Sequence, residues 1–160
     1  MPSAGRTVGS KRQPRSSVAW LVAAAFIAFA AACGTRPSAY PIVSSAPLVA
    51  RGEKVYAQNC ATCHGSQSDQ RDVRAVPPPH NSNGHTWHHP DPQLIDIVLN
   101  GFDSSRPDGL KMPAFKDKLS DEDARAAVAF IKTWWTPEQR GWQATVTAQS
   151  LELDREQKAK

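Results

Sequence analysis

The stretch Cys60-Ala61-Thr62-Cys63-His64 constrains this chain more than any other. Its spacing, C-x-x-C-H, is the signature of covalent haem attachment. Two thiols add to the vinyl groups of a porphyrin, and the two residues between them span the distance between those vinyls. The histidine that follows is thereby held beneath the iron as an axial ligand. The chain has only 3 Cys and 5 His in 160 residues, so a chance match at all three positions is rare. A zinc site built on the same residues wants a second ligand pair. No cysteine follows Cys63, although histidines remain to complete such a site. A redox dithiol needs a βαβ setting that the sequence lacks.

A buried porphyrin adds apolar area that a small chain cannot supply alone, so long irregular segments become tolerable. The sequence has such segments. Ser66 to Pro90 shows no periodicity and contains Pro77-Pro78-Pro79, which predicts a long loop. Around it the helical signals are clear. Leu48, Gly52, Val55 and Tyr56 share one helical face. Asp91-Pro92 reads as an N-cap and a first-turn proline, Leu94, Ile97 and Val98 form a stripe, and Gly101 ends the segment. Phe102 to Leu119 reads as a second irregular stretch. Ser120 and Asp123 begin a capping-box helix with Ala124, Ala127, Val128, Ile131 and Trp135 on one face, stopped by Pro137. No repeat and no strand alternation is visible. The prediction is an all-α fold of three to five short helices wrapped around one covalent haem.

The amino-terminal residues 1–32 read as a signal peptide. A basic region leads into the apolar run from Val18 to Ala32, whose 15 residues suit a signal core better than a bilayer span. Ala30-Ala31-Ala32-Cys33-Gly34 resembles a lipoprotein cleavage site, with Cys33 the lipidated residue, although Ala30 stands where leucine is usual. Simple secretion and an uncleaved anchor are the alternatives. Every option exports the domain to the periplasmic side of a bacterial membrane. The Pro/Ser-rich stretch 33–47 reads as a tether. Residues 48–136 form the main domain, and 137–160 a polar, helix-compatible extension.

The formal charge of +4 suggests nucleic acid only until its location is counted. Arg6, Lys11, Arg12 and Arg15 lie in the leader; of the chain's 19 Lys and Arg, fifteen then remain against 15 Asp and Glu. No basic run is left to track a phosphate backbone, which excludes nucleic acid as a partner.

Met112 in Gly109-Leu110-Lys111-Met112-Pro113-Ala114-Phe115 is the candidate ligand opposite His64. It is the only methionine outside the leader, and Pro113 stiffens the backbone after it. A thioether favours reduced iron. The alternative for Met112 is a core gap-filler. His80, His85, His88 and His89 are rival ligands, and together they form a second cluster able to take copper or zinc, or to cap a helix and bind haem propionates. Trp87 has an indole N–H available to a propionate.

Taken together, these stretches resemble the mitochondrial-type cytochrome c family of bacteria in its small single-haem form, from Leu48 to about Trp135. Gly52-Glu53-Lys54-Val55-Tyr56-Ala57-Gln58-Asn59 is similar to that family's first helix, Gly52 lying where the first and last helices cross. Val128-Ala129-Phe130-Ile131-Lys132-Thr133-Trp134-Trp135 resembles its last helix, and Lys111 to Phe115 its methionine loop. Gly84-His85-Thr86-Trp87-His88-His89-Pro90-Asp91 is not a general family feature. The resemblance implies haem c held by Cys60 and Cys63, iron ligated by His64 and Met112, and electron transfer with transient membrane or periplasmic redox partners. There is no catalytic acid–base set, so the expectation is a carrier rather than an enzyme. Alternatives are an enzyme or gas sensor with an open sixth position, a fixed subunit of a larger oxidoreductase docked through residues after Glu138, and copper handling by the histidine cluster.

Overall fold

The computed structural model describes Gly5, residues 40–103 and residues 111–160. The leader 1–32, Cys33 and the first part of the expected tether lie outside the described residues. Ser38–Lys160 forms one compact unit. Its described part is all-α, with five α-helices: α1 (Ala46–Asn59), α2 (Ala61–His64), α3 (Asp91–Asn100), α4 (Asp121–Ile131) and α5 (Pro137–Lys158). Short 3-10 turns lie at Thr86–His88 and Lys132–Trp134. The stretch after α3, read as irregular, contains a minimal antiparallel pair, β1 (Phe102–Asp103) and β2 (Lys111–Met112), with Phe102 opposite Met112. Two residues per strand are too few to leave an alternation in the sequence.

The crossing of α1 and α4 builds the core. The predicted face of α1 is the one that packs: Gly52, Val55 and Tyr56 are buried. Gly52 permits the approach, since a Cβ there would lie 1.9 Å from the Ala126 carbonyl oxygen. On α4 the small residues Ala124, Ala126, Ala127 and Ala129 are buried with Val128 and Ile131. Small side chains on both surfaces let the backbones close, and larger rings fill the flank. Tyr56, Phe130 and Trp134 form a triangle with centroids 5.0–5.7 Å apart. The expected capping box at Ser120 and Asp123 starts α4.

A second constraint is polar. Asp91 is fully buried, and its carboxylate pairs with the Lys132 ammonium at 2.7 Å. The same carboxylate accepts from the Gln143 amide at 2.7 Å and from the Ile42 backbone N–H at 2.7 Å. Lys132 also donates to the Ile42 carbonyl, and the Thr147 hydroxyl accepts from the Asp91 backbone N–H. Four separate segments therefore meet at one carboxylate. Asp91 is the first residue of α3, not its N-cap; its side chain turns inward and Pro90 precedes the helix.

This knot changes two expectations. Residues 40–47 are part of the packed body, not a tether: Ile42 is buried in the main cluster, and α1 begins at Ala46 with Pro47 in its first turn. Pro137 does end the α4 region, but it also opens α5, where Thr136 and Gln139 form a second capping box. The first half of α5 lies against the 3-10 turn at Thr86 and against α3 through the buried Gln143 and Thr147. Its second half is exposed from Glu152 onward.

Removing one partner of a buried ion pair leaves the other charged and unpaired, at a cost of about 3–5 kcal/mol. Asp91→Ala is therefore expected to lower the unfolding free energy by about that amount in urea titration. It should also make α5 an early site of limited proteolysis. Unchanged stability and protection would show that the carboxylate organises nothing.

Candidate functional site

Cys60 caps the carboxyl end of α1, and α2 follows immediately, so Cys60, Cys63 and His64 lie on one turn that prolongs the first helix. Their backbone is bonded to α1 and to itself: Cys60 N–H donates to Tyr56 O, and His64 N–H to Cys60 O, each at 2.9 Å. Gly65 stops the turn with φ +73, a left-handed value that glycine adopts without strain. The buried Tyr56 hydroxyl donates to the Gly65 carbonyl at 2.9 Å, tying the end of the motif back to the helix crossing.

Both cysteines are unpaired. Cys63 is exposed, while Cys60 is half-buried against the main core. Burial, with a smaller contribution from Cys63, pushes the Cys60 thiol up to about 11. Such a thiol stays protonated at neutral pH. A nucleophilic thiolate requires the opposite shift, so Cys60 is not suited to be the attacking thiol of a redox pair.

His64 is buried, and its Nδ1 lies 2.7 Å from the Pro78 carbonyl oxygen. A carbonyl only accepts, so Nδ1 carries the proton and Nε2 keeps the lone pair that a metal needs. Burial lowers the His64 pKa, with the Pro78 hydrogen bond opposing, which favours the neutral ring. This donor set fits haem c: two thiols, then an imidazole of the ligating tautomer, oriented by a backbone acceptor.

The long loop that supplies Pro78 has its own polar framework. Buried Asn81 donates its amide to the carbonyls of Gln67 and Asp69. Arg71 pairs with Asp69 at 2.6 Å and reaches the Pro77 carbonyl at 3.1 Å. The signal for Pro78 in the sequence is faint, a proline run with nothing to say which carbonyl faces the histidine.

Met112 stands elsewhere. It is half-buried on β2 and belongs to neither hydrophobic cluster, which argues against a core gap-filler. Gly101, at φ +79, brings the end of α3 so close that a Cβ would sit 2.6 Å from the Met112 carbonyl oxygen. Phe115 and Lys116 N–H groups donate to Val98 and Leu99, fastening the strand's exit to α3. Asn100–Asp103 and Lys111–Pro113 line an open cleft of about 420 Å³, which Cys60, Cys63 and His64 do not line.

The histidine cluster divides. The His80 ring stacks on His64, centroids 4.0 Å apart and planes 20° from parallel. Ligands on opposite faces of an iron point nitrogen toward nitrogen with the metal between, which face-to-face stacking forbids. The side-by-side rings thus disfavour His80 as a ligand opposite His64. His88 stacks on Trp87, and His89 Nδ1 lies 3.2 Å from the Gln93 side-chain oxygen. His85 has a buried Nδ1 with no hydrogen-bond partner. Among the described residues no three His, Cys, Asp or Glu side chains are grouped to hold a metal ion. Trp87, expected to reach a propionate, donates its indole N–H to the Gly84 carbonyl at 3.0 Å and so closes its own turn.

Residues 47–131, over half the chain, match the family described as cytochrome c oxidase, cbb3-type, subunit III. The chain belongs to this cytochrome c family. It is 34% identical over 110 residues to the gluconate 2-dehydrogenase cytochrome c subunit of Pantoea cypripedii, covering 62% of this chain and 23% of that protein. It is 32% identical over 88 residues to the cytochrome c subunit of the alcohol dehydrogenase (quinone) of Gluconobacter oxydans, covering 52% of this chain and 18% of that protein. The chain thus spans less than a quarter of the length of these curated relatives. No solved structure matches it significantly.

Asn81 bridges two loop carbonyls from a buried position, so its loss leaves acceptors unsatisfied at about 1–3 kcal/mol. Asn81→Ala is expected to speed amide hydrogen exchange across 66–79 while leaving α4 protected. Equal protection in the two proteins would rule out the latch.

Proposed function

We propose that this cytochrome c domain is a single-haem electron-transfer module, with Cys60 and Cys63 as thioether anchors and His64 and Met112 as axial ligands. The observation that carries the reading is the His64 Nδ1–H donated to the Pro78 carbonyl, which leaves Nε2 for iron beside two unpaired cysteines. The haem, when bound, supplies one-electron exchange at its iron. The chain positions the two ligands, shields the site from water and keeps the imidazole in one tautomer.

Met112 is supported as the second ligand by its place. It is outside both hydrophobic clusters, on a strand fastened to the end of α3. His85, His88 and His89 precede the other end of that helix, whose ten residues span about 15 Å. Histidine–methionine ligation favours the reduced iron and a higher potential. On this reading the module passes electrons and is a carrier rather than an enzyme.

Cellular placement follows from the leader. Residues 1–32 direct export, and lipidated Cys33 holds the domain at the periplasmic side of a membrane; among the described residues no helix is long and apolar enough to cross one. Two relatives are cytochrome c subunits of dehydrogenases, which supports a redox enzyme of that kind as partner. The partner is engaged transiently through a small interface. A fixed subunit would instead co-purify in stable complex.

The test is an absorption spectrum of the mature protein, oxidised and reduced, beside Met112→Ala. Wild type is expected to show the weak long-wavelength band of methionine-ligated oxidised haem, and the variant to lose it and bind carbon monoxide when reduced. A wild-type protein without the band that itself binds carbon monoxide would favour an open sixth position. Absence of both would return His85, His88 or His89 as ligand.

A further inference from the structure

The hydrogen bond to Pro78 restrains rotation of the His64 ring about its Cβ–Cγ bond only to within the angular latitude of a hydrogen bond. His80 closes this freedom. Its ring lies flat against His64, with centroids 4.0 Å apart and planes 20° from parallel. His80 is itself held at three further points. Its Nδ1 is hydrogen-bonded to the Thr86 hydroxyl at 2.8 Å. Its backbone carbonyl accepts the Trp135 indole N–H at 2.8 Å, and the Tyr56 ring meets it edge-on at 6.1 Å. Thr86 is buried in turn. The plane of the His64 imidazole is thus set by a chain of contacts, Thr86 to His80 to His64, anchored by residues of the α1 and α4 regions.

We propose that His80 is a positioning residue that sets the rotational orientation of the His64 imidazole plane, and through it the electronic structure and potential of the bound iron. The proposal rests on the reading of His64 as axial ligand. Its physical basis is general: outer partners of a ligating histidine fix ring orientation and tune the metal. A ligating imidazole would overlap unequally with the two iron d-orbitals of π symmetry about the iron–nitrogen bond, and the inequality would depend on the angle of the ring plane. A flat neighbour selects that angle, whereas an aliphatic side chain of similar bulk fills space without selecting it. Two stacked histidines, one buried and the other half-buried and tethered by a threonine hydroxyl, are more than apolar packing at this position requires.

The experiment compares the full-length haem-loaded protein with His80→Leu, His80→Phe and Thr86→Val. The readouts are the electron paramagnetic resonance g-values of the oxidised iron and the midpoint potential. His80→Leu is expected to alter the g-value spread and to change the one-electron equilibrium constant by roughly three- to tenfold, tenfold being about 59 mV. His80→Phe keeps a flat ring and is expected to remain nearer the wild type. Thr86→Val frees the His80 ring and is expected to shift the g-values in the direction of His80→Leu by a smaller amount. If His80→Leu does not fold with haem, the other two variants decide by the same criteria. A low-spin iron indifferent to every variant that loads haem would overturn this proposal alone. A wild-type protein without a low-spin, histidine-ligated iron would overturn the reading of His64, and this proposal with it.

Discussion

A carboxylate with no exposed surface organises this domain. Asp91 meets the Lys132 ammonium, the Gln143 amide and the Ile42 backbone within 2.7 Å each, so its desolvation is offset only because three segments supply donors together. Burial lowers the Lys132 pKa from its ordinary value, and Asp91 is what opposes that shift. Neither group is tolerable in this interior alone. The arrangement consequently favours having the segment at Ile42, the start of α3, the end of α4 and the first half of α5 all in place over any subset of them.

The helix crossing at Gly52 does for the haem motif what Asp91 does for the periphery. Close contact of α1 with α4 sets the direction of α1, and the motif prolongs α1 by a single turn. Tyr56 belongs to both: its ring packs on Phe130 and Trp134, and its hydroxyl holds the carbonyl of Gly65 just beyond His64. Errors in packing at the crossing are thereby transmitted to the orientation of the histidine.

Much of this was legible in the sequence where the signal is local. The motif is five contiguous residues, α1 and α4 carry a 3.6-residue period, and Ser120 with Asp123 announces a helix start. The Asp91 knot was not legible, because Ile42, Asp91, Lys132, Gln143 and Thr147 share neither periodicity nor proximity along the chain. Asp91 beside Pro92 resembles a helix cap, and only burial shows its other use. Thr136-Pro137-Glu138-Gln139 did carry a readable start signal for α5, masked by the habit of reading proline as a stop. His80 was grouped with His85, His88 and His89 by residue type. Direction separates it from the other three, and a sequence holds no direction: its ring lies flat beside that of His64.

The anchoring of Ile42 also defines how the domain bears load. Any pull applied to the chain upstream of Tyr40 meets the folded body at Tyr40, packed on the core and under the Arg125 guanidinium, and then at Ile42, whose N–H and C=O are clasped by Asp91 and Lys132. Tension is then shared among α3, the end of α4 and α5 before it reaches α1. The turn that carries Cys60, Cys63 and His64 lies beyond that knot, so a tug on the amino-terminal end loads the polar knot before it loads the turn.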